Sequence, residues 1–181
     1  MRSSSQPEVA GPFRAAMSRL AAGVVMVTCH VGQRPWGLTV SACCSVSMDP
    51  PLLLVSLGQE TTSARAITDT GRFGVALLGD HLVDVARFGA AQGQPKFAEE
   101  HCLDDAAGSR SPVVAGALAH VDCAVRETVD AGDHRLFIGD VELAVVHERD
   151  RPLVWCERTF HRLDELTEHA ITEEETWQRQ I

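Results

Sequence analysis

The sequence predicts a mostly β domain, an antiparallel barrel capped by a few helices, and three observations carry that expectation. Residues 36–48 alternate strictly, with Leu38, Val40, Ala42, Cys44, Val46 and Met48 on one side and Thr39, Ser41, Cys43, Ser45 and Ser47 on the other, the period-two pattern of a strand. Two long alternating runs, built on Val121, Cys123, Val125 and Val129 and on Phe137, Val141, Leu143 and Val145, flank the turn sequence DAGD, which makes a hairpin. About seven strand-like runs stand against few helical ones, so the helices cap a barrel and do not cover a parallel sheet.

The elements follow in order. Phe13, Ala16, Met17, Leu20 and Ala21 recur at helical spacing, so a first amphipathic helix is expected over 13–21, stopped by Gly23. VVMVTCHV is β-branched and ends at a turn over 32–35. After the long alternating strand, Asp49, Pro50 and Pro51 break the chain, and LLLVSL is apolar on both faces, as in a buried strand. A loop over 58–62 opens into a short helix around ARAIT, capped by Ser or Thr and ended by Gly71. RFGVALL is the next strand, and Leu82, Val85, Ala86 and Gly89 mark a further helix. An irregular loop then carries Lys96 and Phe97, and residues 102–118 form a long connection. In the second long strand Gly139 marks a bulge. PLVWC is one more strand, and the tail over 163–181 has an apolar stripe beside Glu173, Glu174 and Glu175, the pattern of an acidic helix.

Composition narrows the function. The chain has 181 residues, 45% of them hydrophobic and 23% charged, which suits one globular domain with a sizeable core. A formal charge of −9 argues against nucleic acid as a partner. No run is long and apolar enough for a signal peptide or a membrane span, so the cytoplasm is the expected location. Six cysteines show no CxxC spacing and read as reduced, mostly buried thiols. Motifs for a P-loop, a Rossmann dinucleotide site, a hydrolase elbow and a zincin are all missing, and the eight scattered histidines define no metal site. Of sixteen basic residues only Lys96 is a lysine.

Five places could carry chemistry. The hydroxyl and thiol side of residues 36–48 is either a solvated strand face or, being uncharged over thirteen residues, the seat of a broad neutral ligand approached through backbone groups and hydroxyls. Thr62, Ser63 and Arg65 either cap a helix or hold an anion at its N-terminus. Lys96 reads as a surface charge or an anion partner. His134, in GDHR, reads as a hairpin-edge residue or a ligand contact. Cys43 and Cys44 lack a visible base partner, so they read as packing.

Taken together, FRAAMSRLAAGVVMVT, GLTVSACCSVSMDPPLLLVSL, TTSARAI, RFGVALL, PKF, AGDHRLFIGDV and PLVW resemble the short-chain flavin reductase family, the NAD(P)H:flavin oxidoreductases that serve two-component monooxygenases. The resemblance implies a split β-barrel of FMN-binding type over residues 13–162, preceded by an extension over 1–12 and followed by the acidic tail over 163–181. It further implies a homodimer with flavin in a groove near the subunit interface. By position, Thr39, Val40, Ser41 and Ala42 would meet the isoalloxazine edge, Ser45, Val46 and Ser47 would continue that wall, and Thr62, Ser63 and Ala64 would approach the ribityl or phosphate end. Lys96 and Phe97 match the family's lysine and phenylalanine, with Lys96 neutralising phosphate. His134 matches the histidine that positions the nicotinamide. The Cys43-Cys44 pair and Pro95 depart from the family's usual residues.

The implied reaction is hydride transfer from NADH, with NADPH left open, to FAD or FMN, and delivery of the reduced flavin to a flavin-dependent monooxygenase. Two rivals share the barrel: a flavin-binding carrier or sensor without turnover, and an enzyme like pyridoxamine phosphate oxidase.

Overall fold

Every strand pairing is antiparallel. The computed structural model describes residues 6–103, 108–147 and 151–164. In chain order the elements are α1 (Gln6–Ser18), β1 (Ala22–Gly23), β2 (Val25–Val31), β3 (Arg34–Val40), β4 (Cys43–Met48), β5 (Pro51–Gly58), α2 (Thr62–Thr70), β6 (Arg72–Leu77), α3 (Val83–Ala90), β7 (Ala119–Ala131), β8 (His134–Val146), β9 (Leu153–Cys156) and β10 (Thr159–Arg162). One sheet has the order β3-β2-β6-β7-β8-β5-β4, and a small one has the order β1-β9-β10.

The edge strands of the large sheet, β3 and β4, are consecutive in the chain and joined by Ser41 and Ala42 alone. Val40 and Cys43 therefore lie within roughly 11 Å of each other, so the sheet curls until its edges meet at this corner. There the amide of Ser56 on β5 donates to the carbonyl of Ala42 at 3.0 Å. One interior results, filled by Val25, Val27 and Cys29 of β2, Trp36 of β3, Val55 and Leu57 of β5, Phe73 of β6 and Phe137 of β8, and plugged by Ala64 and Ile67 of α2. Each buried Val, Leu, Ile or Phe among them stabilises the fold by roughly 1.5–3 kcal/mol. A second cluster, with Met26, Ala76, Leu78, Ala86 and Leu153, lies outside β2 and β6 beneath α3 and the C-terminal hairpin. This is the mostly β split barrel with capping helices that the pattern predicts.

Several elements differ from expectation. The uninterrupted strand over 36–48 is two strands, because the corner flips the alternation: Leu38, Val40 and Cys43 all pack toward the interior. Val46 and Met48 are then left 48% and 77% exposed on an edge strand. Helix α1 starts earlier than the expected residue 13 and runs through Pro12, and its apolar residues Val9, Phe13 and Met17, with Leu20 just beyond its end, are exposed. Of the two bulges near Gly139, one puts its extra residue, Glu142, on β8 opposite Asp122 and Cys123, and the other puts Arg126 on β7 opposite Ile138 and Gly139. Gly139 itself makes room for packing, since a Cβ there would come 2.8 Å from Phe73 Cζ and from Cys123 Cβ. PLVWC does not end the sheet structure, because β10 pairs back on β9 through Glu157 and Arg158, at φ 48° and 63°. That mirror-image turn favours Asn and Gly, so its charged residues conceal it. The acidic tail beyond residue 164 lies outside the described residues.

A buried polar strap crosses β6 and β7 on the outside. Ser111 Oγ donates to Asp122 Oδ1 at 2.7 Å, the Arg110 amide donates to Asp122 Oδ2 at 2.6 Å, and Thr28 Oγ1 donates to the Pro112 carbonyl at 2.7 Å. Ser109 Oγ lies 3.1 Å from His120 Nε2.

Candidate functional site

The corner between β3 and β4 forms one wall of a cleft of about 200 Å³ lined by Val24, Thr39, Val40, Ser41, Ala90, Trp155 and Phe160. Local sequence explains the shape. Val40 turns into the barrel, while Thr39 faces outward against α3, where Gly89 allows a close approach: a Cβ on Gly89 would lie 2.3 Å from Thr39 Oγ1. The Thr39 hydroxyl is buried and makes no hydrogen bond among the described residues. Ser41 and Ala42 are exposed at the corner itself. Of the expected hydroxyl wall, Thr39 therefore serves helix packing and Ser41 faces open space.

Helix α2 follows β5 directly, the Thr61 amide donating to the Gly58 carbonyl at 3.0 Å. Its N-cap is Thr61, whose Oγ1 accepts from the Ala64 amide at 3.2 Å, one residue before the expected trio of Thr62, Ser63 and Ala64. Thr62 is exposed, whereas Ser63 and Ala64 are buried. The Ser63 hydroxyl faces the Cys29 thiol, which burial pushes up to about 12 against that contact. Ser63 and Ala64 can thus meet a ligand only through backbone. Arg65 is paired with Glu60 at 2.5 Å.

Lys96 and Phe97 are bound to the same strand, since the Gly37 amide donates to the Lys96 carbonyl at 3.0 Å and Trp36 bridges to Phe97. Phe97 is fixed between Trp36, edge-on at 5.0 Å, and the Arg34 guanidinium, 3.5 Å from its ring centre. The Lys96 ammonium donates to the Ala91 carbonyl, at the C-terminus of α3. Partial burial lowers its pKa. An ammonium there complements the helix dipole.

His134 opens β8, is half exposed, and has Nδ1 2.7 Å from Asp133 Oδ1. It faces Gly58 across β5, and the Gln59 amide donates to the Asp133 carbonyl at 3.0 Å, so the hairpin tip stands over the loop into α2. Ala42 adjoins Ser56, and Ser56 pairs with Leu136, two residues from His134. The structure thus brings Ser41, Ala42, the start of α2 and His134 together. Ser45, Val46 and Ser47 stand apart, with Ser45 and Ser47 opposite Leu53 and Leu52 and Val46 at the irregularity between them. Ser47 is six residues along β5 from the Gly58–His134 pair, roughly 20 Å away.

No period or motif marks Val24, Ala90, Trp155 and Phe160 as cleft residues, although Val24 and Trp155 belong to the strand runs VVMVTCHV and PLVWC. Two of only nine aromatic residues within one short C-terminal stretch is the one signal that points there. Trp36, beside Phe97, and Val40 at the cleft are four positions apart on β3, roughly 13 Å. A flavin fits this arrangement, because its ring would meet a largely apolar cleft and exposed backbone at the Ser41–Ala42 corner, and the amides at the start of α2 suit a phosphate.

Comparison with known proteins agrees. A family model described as flavin reductase like domain matches residues 17–164. The chain is 39% identical over 154 residues to the actinorhodin polyketide dimerase of Streptomyces coelicolor, covering 84% of this chain and 86% of that one. It is 36% identical over 154 residues to the flavin reductase (NADH) of Kitasatospora aureofaciens, covering 83% and 80%. The solved structure of the Streptomyces globisporus NADH:FAD oxidoreductase SgcE6, in complex with NAD and FAD fragments, superposes with a TM-score of 0.79 at 27% identity, covering 87% of this chain and 94% of that one. By sequence, fold and arrangement, the chain belongs to the flavin reductase family.

Proposed function

We propose that the chain is an NADH-dependent flavin reductase that transfers a hydride to FMN or FAD and releases the reduced flavin to a separate monooxygenase. The observation that carries this reading is the uncharged cleft at the Thr39–Ser41 corner, linked through Ala42 and Ser56 of β5 to the His134 hairpin tip and the loop that opens α2. Relatives bear names of the same kind, among them the reductase components of 4-hydroxyphenylacetate 3-monooxygenase and of trigonelline monooxygenase.

When bound, the cofactors supply the electron chemistry, a hydride leaving the nicotinamide C4 for the flavin N5. The protein aligns and screens. Ser41 and the Ser41–Ala42 backbone hold the ring edge, Val40 keeps its surroundings apolar, and the free amides of Thr62 and Ser63 together with Lys96 offset phosphate charge. His134, buttressed by Asp133, positions the nicotinamide; it need not exchange a proton. Ser45, Val46 and Ser47 extend the wall along β4.

The working form is a homodimer in the cytoplasm. Its support is the apolar surface left on and just after α1 (Phe13, Met17 and Leu20) and on the unpaired edge of β4 (Val46, Met48), more than single scattered exposures explain. No helix among the described residues is long and apolar enough to cross a membrane.

Mixing the purified protein with NADH and excess FMN or FAD tests the activity. Sustained NADH oxidation supports the reductase; a single stoichiometric bleach indicates a carrier, and no change rejects both. Sedimentation velocity at micromolar protein tests the dimer.

A further inference from the structure

The β7–β8 ribbon carries His134 out from the packed body of the molecule. Every residue of β7 from Arg126 to Ala131 is exposed, and so are Gly132, Asp133 and His134. The turn has two residues, with Gly132 at φ 64°, the positive φ that a two-residue hairpin loop asks of its first position. The Asp133 side chain is 95% exposed and the His134 ring it meets is 49% exposed. Packing therefore does little to orient this pair, and the backbone of the turn decides where the imidazole stands.

Gln59 holds that backbone. Its amide donates to the Asp133 carbonyl at 3.0 Å, and its side-chain Nε2 donates to the His134 carbonyl at 3.2 Å and, at a longer 3.4 Å, to the Gly132 carbonyl. Three successive carbonyls of the tip thus share one partner. A primary amide carries two N–H donors, one for each of the flanking carbonyls. Gln59 is itself fixed from both sides. Gly58 before it pairs with His134, and Thr61 after it, the N-cap of α2, donates to the Gly58 carbonyl from its amide at 3.0 Å and from its hydroxyl at 2.8 Å.

A second tie lies farther along the helix. Arg135 forks onto Asp130, Nε to Oδ1 at 2.6 Å and Nη2 to Oδ2 at 3.3 Å, and its Nη1 donates to Thr68 Oγ1 of α2 at 3.2 Å. This contact anchors the stem of the hairpin, whereas the Gln59 contacts anchor the tip that bears the imidazole.

We propose that Gln59 is a positioning residue for hydride transfer: its amide and carboxamide hold the Gly132–His134 turn to the loop that opens α2 and so set where the His134 ring stands. This rests on the flavin reductase reading, with His134 as the nicotinamide contact. Gln59 touches no substrate in this role. It acts through His134, so its effect belongs to the rate of hydride transfer and not to flavin affinity.

Stopped-flow reduction of bound flavin at saturating NADH tests the role. Gln59→Ala should lower the limiting rate roughly fivefold and leave the flavin Kd within about twofold, with a melting temperature within about 3 °C of the wild type. Gln59→Glu, equal in size but turning acceptors toward carbonyls, should lose at least as much. Coupling separates positioning from a merely structural role: in the His134→Ala background, adding Gln59→Ala should cost less than about 1.5-fold. A wild-type rate in Gln59→Ala, or the same loss with and without the His134 ring, overturns the positioning role, and wild-type turnover in those assays leaves the reductase reading standing. A wild type that oxidises no NADH with FMN or FAD overturns the reductase reading instead. The His134 ring-proton resonance, compared without cofactors between wild type and Gln59→Ala, then tests the geometry alone, and an unmoved resonance overturns the claim that Gln59 sets the ring.

Discussion

Gly58 and His134 are cross-strand partners at the end of the β5–β8 pairing, so the histidine of one hairpin stands over the loop that opens α2. A residue there is placed to order a ligand lying across the loop without helping to close the barrel. His134→Ala should slow flavin reduction roughly ten- to hundredfold, the scale of lost orientation, and change the flavin Kd by less than about threefold. Stopped-flow reduction and fluorescence titration separate the two effects, and an unchanged reduction rate would remove His134 from the site.

Lys96 faces two demands, since its ammonium already donates to the carbonyl at the end of α3. If it also meets phosphate, Lys96→Met should weaken FMN binding by about tenfold while barely touching riboflavin, which has no phosphate. The helix-end contact alone is worth roughly 0.3–1 kcal/mol of stability. Equal losses for FMN and riboflavin would assign the lysine to structure only.

Gly139→Ala should cost about 1–3 kcal/mol in urea denaturation, because its methyl group would press on Phe73 and Cys123, both fully buried. Gly23→Ala is the control. Nothing lies within 4 Å of a Cβ there, so the change should stay within about 0.5 kcal/mol.

His120 makes stability depend on pH. Burial lowers its pKa from the ordinary 6.5, outweighing the opposite pull of Asp122, and His147 lowers it further. The unfolded chain therefore takes up this proton before the native one does. The contribution to stability is complete above about pH 6.5 and declines as pH falls from there toward the lower native value. Melting temperatures between about pH 7.5 and about pH 5.5 should drop less for His120→Gln than for the wild type. A parallel drop would place the acid sensitivity elsewhere.

The parts of the molecule that repeat a period were readable from the chain. The β7–β8 hairpin, α2 with its Gly71 stop, and α3 all lie where their patterns put them, because one face of each is buried and the residues record it. The Ser41–Ala42 corner was hidden since small residues on both sides of it conceal a change of facing. The turn at Glu157 and Arg158 was hidden because its backbone is unusual for its side chains. At the site, the positions of Ser41, Thr62 and His134 follow from motif and turn chemistry. That Thr39 packs on Gly89, and that Trp155 and Phe160 face the corner, depend on contacts between segments far apart in sequence.

The walls of the cleft come from Val24 and the Thr39–Ser41 corner near the start of the chain and from Trp155 and Phe160 near its end. During synthesis the first wall leaves the ribosome more than a hundred residues before the second. Only when the last hairpin has zipped onto Ala22 and Gly23 does a nascent chain possess both, so readiness for ligand arrives at the close of folding and cannot precede it.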